Sequence, residues 1–141
     1  MIAIIDYDAG NTFNVQKAFA YIGLDAVLTA DPEVILNADG VLLPGVGAYA
    51  SAVAVLKERG LVDVLHEVVK REIPLLGICL GMQLLFEESE EYGPTPGLGL
   101  IPGKVKEIPR DLGLSVPHMG WNKNVFDSSL FSSLLVLLVV Y

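Results

Sequence analysis

Apolar residues along this chain come in two alternating patterns. Ile2 to Ile5 form a short unbroken apolar run that ends at Asp6, as expected for a strand buried on both faces. Val15, Ala18, Phe19 and Ile22 then recur at helical spacing, with Asn11 or Thr12 placed to cap the start and Gly23 to end it. A second strand is expected at Ala26 to Leu28, a helix start at Asp31-Pro32-Glu33, and a third strand at Gly40 to Leu43 running into PGVG, Pro44 to Gly47. Helical stretches over Ala50 to Arg59 and Leu61 to Arg71 precede another apolar run, Ile73 to Ile78. Strands joined in this way by helices predict an α/β fold with a doubly wound, mostly parallel sheet and helices on both faces, whose ligand sites lie at the carboxyl ends of the strands. PGVG and the stretch GICLGMQ, Gly77 to Gln83, both fall at such ends.

The second half has a different character. The Gly- and Pro-rich stretch from Tyr92 to Gly103 excludes a continuous element and predicts an ordered loop. Lys104 to Ile108 alternates, as an antiparallel strand would. After VPHMGWN the chain reaches a serine-interrupted apolar tail whose run Leu134 to Tyr141 is far short of the roughly 20 residues that span a bilayer, though long enough for a buried strand. No repeat and no second domain is visible, and 141 residues suit a single core.

Composition narrows the function classes. The formal charge of -8 opposes nonspecific binding to nucleic acid or to an anionic membrane, so neither is expected as a partner. A hydrophobic fraction of 52% exceeds that of an ordinary soluble domain, and the apolar tail contributes to it. One cysteine cannot form an internal disulfide, and MIAIIDYD reads as a strand rather than a charged leader, so a cytoplasmic location is expected.

That single cysteine, Cys79, lies between two glycines where a strand turns into a helix. In G-x-C-x-G the flanking glycines lack side chains, so the turn can be sharp and the central residue projects outward, as in a nucleophile elbow. Backbone N–H groups at a helix start favour the thiolate, the form that attacks carbonyl carbon. A buried cysteine acting as a small hydrophobe fits the same five residues equally well.

LLPGVGAY, then PLLGICLGMQLLFEESEE, then VPHMGWN together resemble the class I glutamine amidotransferases, and within them the amidotransferase subunits of imidazole glycerol phosphate synthases. The likeness runs from Met1 to about Asn122, making residues 1–122 a partial amidotransferase domain and 123–141 a divergent apolar tail. The resemblance implies a flavodoxin-like fold, glutamine as substrate, and no cofactor or metal. It makes Cys79 the nucleophile that attacks the side-chain amide, releasing ammonia and leaving a thioester that water cleaves. The tetrahedral oxyanion would be held by the N–H of Leu80 and by the PGVG segment at Val46 and Gly47. Gly47, Gln83 and Glu91 match positions that contact glutamine, although Gln83 and Glu91 read equally well as solvated helix residues. The ammonia would pass to a cyclase subunit with a (β/α)8 barrel, for histidine biosynthesis. His118, Met119 and Trp121 match a segment at the face shared with that cyclase, where Trp121 is an aromatic anchor.

The chain departs from the pattern at two places. Such a triad also takes a histidine and a glutamate from a C-terminal His-x-Glu segment; after Asn122 no such segment follows, so the sequence is expected to be C-terminally incomplete. His66, in LVDVLHEVVKRE, and His118 are the two histidines, and neither matches the base. Asp8, in DYDAGN, stands where glycine is more usual. Three functions remain open: a glutaminase subunit, a cyclase-binding module that does not hydrolyse glutamine, and another cysteine-elbow enzyme of the same architecture. The pairing of PGVG with PHMGWN argues against the third.

Overall fold

The computed structural model describes residues 1–113 and 135–136. Its main sheet is built from β1 (Ile2–Ile5), β2 (Ala26–Thr29), β3 (Gly40–Leu43), β4 (Leu75–Gly77) and β8 (Leu135–Val136), in the order β2-β1-β3-β4-β8. Each neighbouring pair is parallel, with Ile2 opposite both Ala26 and Gly40, Leu42 opposite Leu76, and Leu76 opposite Leu135. Parallel neighbours need crossovers, and these are α1 (Thr12–Tyr21), α2 (Pro32–Leu36), and the pair α3 (Tyr49–Glu58) and α4 (Leu61–Lys70). The expected doubly wound α/β sheet is therefore present. From β1 the chain steps outward to β2 and then returns past β1 to β3, which puts the topological switch point between β1 and β3.

Local chemistry accounts for these elements. Asn11 caps α1 by accepting from Asn14 N–H, and Asp31 caps α2 by accepting from Glu33 N–H at 2.9 Å, with Pro32 at the first helical position. Gly60 takes a left-handed conformation, φ 67°, between α3 and α4, so the chain reverses there without a side-chain clash.

Alternation along the strands divides the apolar residues between two faces. Ala3, Ile5, Val41, Leu43 and Leu75 join Ile35 of α2, Val53 and Leu56 of α3, and Leu65 and Val68 of α4 in one buried core. Full burial of one such Leu or Ile side chain stabilises by about 1.5–3 kcal/mol, so this layer dominates the energetics. On the other face Ile2, Leu42 and Leu76 meet Phe19 of α1 around a shallow apolar cavity of 120 Å³. Coverage there is thinner, since α1 has no fully buried residue.

The structure corrects the reading of the second half. The helix after Cys79, α5 (Leu80–Leu84), is only five residues long and is followed by β5 (Phe86–Ser89). The helix reading of Glu91 therefore fails, since it lies beyond a strand, while Gln83 does sit on α5. The Gly- and Pro-rich stretch holds β6 (Thr95–Pro96) and the start of β7 (Ile101–Val105), rather than loop alone. The strand expected at Lys104 to Ile108 begins earlier and pairs parallel with β5, not antiparallel; among the described residues only β5 and β6 run antiparallel. Side chains explain this small sheet better than hydropathy does. The Glu87 carboxylate accepts from Gly103 N–H at 2.9 Å, and Lys104 Nζ meets Glu88 at 2.8 Å across the strands. A strand spelled FEES buries Ser89 but little else, so it carries no apolar signature.

Of the run Leu134 to Tyr141, Leu135 and Val136 form the strand beside β4. His118, Met119 and Trp121 lie outside the described residues. No helix among the described residues is long and apolar enough to cross a membrane.

Candidate active site

The loops after β1, β3 and β4 emerge at one edge of the sheet because these three strands are parallel neighbours. Cys79 is in the loop after β4 and is the cap residue of α5, with φ 57° and ψ -121°. A non-glycine residue at such a φ is strained, and it holds that shape only because its surroundings impose it. Those surroundings are the flanking glycines. A side chain at Gly77 would stand 2.6 Å from Met82 Cα, and one at Gly81 would overlap the Leu43 carbonyl oxygen and lie 2.9 Å from that of Pro44. Ile78 N–H donates to Leu43 O at 3.0 Å, and Met82 N–H to Cys79 O at 3.0 Å, so the turn is bonded on both sides. Cys79 is only partly buried. This is the elbow geometry, and the buried-hydrophobe alternative does not require it.

The PGVG segment lies against the elbow. A side chain at Gly45 would come within 2.5 Å of Gly81 N and 2.8 Å of Leu80 Cβ. Val46 is 62% exposed, and Gly47 has φ 96° with open space around it. The base of the segment is thus packed and its tip is free. Leu80 begins α5, so its N–H has no intrahelical acceptor. The fold accordingly lays Gly45 against Leu80 and Gly81, the residues that follow Cys79, with Val46 and Gly47 at the exposed tip beyond it.

Gln83 is part-buried on α5, one turn after the cysteine, its N–H directed at Cys79 O at 3.3 Å. Glu91 is reached by tertiary structure: its carboxylate accepts from Tyr49 N–H at 2.8 Å, at the start of α3 and two residues from Gly47. Sequence reasoning missed this contact, and the helix alternative it left open for Glu91 would have hidden it. Tyr49 is 1% exposed, and its Oη, without a hydrogen-bond partner among the described residues, abuts Gly97. Burial, then the charge of Glu88, pushes that phenol upward.

The β1–α1 loop completes the edge. Asp8 has φ 61°, which a glycine would adopt at no cost, and its N–H turns back to Asp6 Oδ1 at 3.4 Å. Arg59, at the end of α3, pairs with the Asp8 carboxylate and donates to Asp6 O at 3.2 Å. Tyr7 Oη donates to Pro44 O at 2.6 Å. Both Tyr7 and Arg59 were missed; the available signal was a tyrosine two residues beyond a buried strand. A cleft of 250 Å³ opens between this loop, Val46 and Gly47, and Ser51 of α3. His66, the histidine among the described residues, is exposed on α4. No group of three or more metal-ligating side chains is present among the described residues.

Known proteins resemble this chain in sequence and in fold. Residues 3–139 match the family model for glutamine amidotransferase class-I. The chain is 58% identical over 124 residues to the imidazole glycerol phosphate synthase subunit HisH of Lactiplantibacillus plantarum, covering 88% of this chain and 60% of that protein. It is 57% identical over 122 residues to the HisH subunit of Streptococcus sanguinis, covering 86% and 59%, and 56% identical over 122 residues to that of Moorella thermoacetica, covering 86% and 57%. The chain thus spans about 60% of the length of the curated relatives it matches. A crystal structure of a glutamine amidotransferase superposes with a TM-score of 0.63 at 21% identity, over 74% of this chain and 55% of that one, a likeness of fold. The strained cysteine between two close-packed glycines, the PGVG segment laid against it, and the match along nearly the whole sequence make this chain a member of the class-I glutamine amidotransferase family.

Proposed function

We propose that the chain is the glutaminase component of an imidazole glycerol phosphate synthase, with Cys79 as nucleophile. The Cys79 sulfur forms a bond to the side-chain amide carbon of glutamine, and the carbonyl oxygen becomes an oxyanion. Leu80 N–H and the Val46–Gly47 peptide accommodate that charge, with Gly47, Gln83 and Glu91 placed to hold glutamine. The thiol gives up its proton as this bond forms; collapse of the adduct then breaks the C–N bond, and the nitrogen takes up a proton in its place and leaves as ammonia. Water then cleaves the thioester to glutamate and the free thiol. The ammonia serves a cyclase subunit with a (β/α)8 barrel. The observation that carries this reading is the backbone of Cys79, held at positive φ by glycines that admit no side chain.

The thiol itself tests it. A chloroketone analogue of glutamine should label Cys79 at least about tenfold faster than it labels the chain unfolded in denaturant, because donors aimed at an oxyanion stabilise only a correctly seated adduct. Equal rates before and after unfolding would remove the elbow from the chemistry.

A second reading keeps the cyclase contact and drops the hydrolysis. It is favoured by the position of His66, exposed on α4 rather than at the elbow. In both readings residues 1–122 form the amidotransferase part, and His118, Met119 and Trp121 meet the cyclase. Trp121→Ala should weaken capture by a cyclase subunit by about tenfold or more, as loss of an aromatic anchor does, while shifting thermal stability little. A large drop in stability with unchanged capture would make Trp121 a core residue.

A further inference from the structure

We infer that Tyr7 is a positioning residue for the oxyanion-binding segment: through its bond to the Pro44 carbonyl it holds the base of PGVG where the Val46–Gly47 peptide can meet the adduct on Cys79. The inference rests on the glutaminase reading and adds a residue to its machinery.

The geometry begins at the switch point. β1 and β3 are parallel neighbours in register from Ile2 and Gly40 to Ile4 and Leu42, so the residues following them travel side by side. Tyr7 is 1% exposed, and its Oη reaches across this crevice to Pro44 O at 2.6 Å. A buried carbonyl that loses its donor pays a desolvation penalty, so the bond holds the Pro44–Gly45 peptide in one orientation. Gly45 is closed from the other side by Gly81 N and Leu80 Cβ. Gly10 adds a third wall, since a side chain there would stand 2.9 Å from Pro44 Cβ and 3.2 Å from Gly45 N. Beyond Gly45 the constraints stop, at exposed Val46 and at Gly47 with its open surroundings. A peptide that turns at Val46–Gly47 can aim its N–H only if the residues before it stay fixed.

The loop that carries Tyr7 is itself tied down. Arg59 bonds both the Asp6 carbonyl and the Asp8 carboxylate, and Asp8 holds the left-handed conformation that turns the chain away after Tyr7. Burial first, and the neighbouring Cys79 second, push the Tyr7 phenol well above its ordinary range, which favours the protonated form that donates to Pro44 O.

Two reagents separate a positioning role from a merely structural one. A chloroketone analogue of glutamine passes through an oxyanion at Cys79, whereas iodoacetamide alkylates the same thiol by direct displacement and needs no such donors. In the 141-residue chain, Tyr7→Phe should lower the chloroketone rate by about tenfold, a misplaced oxyanion donor being worth up to a hundredfold or more, and leave the iodoacetamide rate within about twofold. Gly10→Ala, which presses on Pro44 from the other side, should lower the same ratio. An unchanged ratio in Tyr7→Phe, with the parent chain still preferring the chloroketone, overturns the role of Tyr7 alone. A parent chain that shows no preference over its denatured form overturns the glutaminase reading, and the role of Tyr7 with it.

Discussion

Glutamine hydrolysis by the 141-residue chain should stay near background, and should rise by a thousandfold or more when the residues after Asn122 are replaced by the corresponding C-terminal portion of the Lactiplantibacillus plantarum relative. The chemistry requires two proton movements: the thiol must lose one and the departing nitrogen must gain one. At the elbow the described residues supply backbone donors and a phenol whose proton is held tightly by burial, but no imidazole. Donors alone retain part of the rate, and removing a triad partner commonly costs on the order of thousands-fold. The match covers 60% of the Lactiplantibacillus plantarum relative, and the exchange tests whether the rest of that protein carries an imidazole that can serve as the base. Ammonia release from glutamine, measured for both chains with a cyclase subunit and its ligand present, decides the matter. Strong activity in the 141-residue chain would bring His118 or His66 back as the base.

Gly81→Ala should destabilise the fold by about 3 kcal/mol or more, lowering the melting temperature on the order of 10 °C, and should abolish preferential labelling of Cys79 by the glutamine analogue. Two effects compete at this position. Gly81 lies within α5, where alanine is intrinsically better by about 1 kcal/mol. Against that, the new methyl would overlap the carbonyl oxygen of Leu43 and stand 2.8 Å from its carbon, in the backbone of a fully buried strand. Backbone in the middle of a sheet cannot yield as a flexible side chain can, so the steric cost wins. Gly99→Ala is the control: Gly99 has φ 64° and nothing near its missing side chain, so only the left-handed penalty of about 1–2 kcal/mol applies. A Gly81→Ala chain within 1 kcal/mol of its parent would show that the elbow is looser than its packing indicates.

Periodicity by itself determined the first half of this protein. Continuous apolar runs must be covered on both faces, and helical spacing between them leaves parallel strands with crossovers as the economical arrangement, so β1, α1, β2, β3, α3 and α4 were legible from the sequence. G-x-C-x-G and PGVG were legible too, because glycines at strand ends signal a backbone need rather than a packing preference. The small sheet was not legible: β5 is polar, and its register depends on Glu87 reaching Gly103 and Glu88 reaching Lys104, contacts between residues about sixteen positions apart. Nor was the support beneath the candidate site. The bond from Tyr7 to Pro44, the grip of Arg59 on Asp6 and Asp8, and the contact of Glu91 with Tyr49 each join residues roughly 40 to 50 positions apart. Local pattern determines which elements form. Only closure of the sheet, which brings the ends of β1, β3 and β4 to one edge, decides which side chains meet there, because such contacts depend on strand order and loop path rather than on neighbours in sequence.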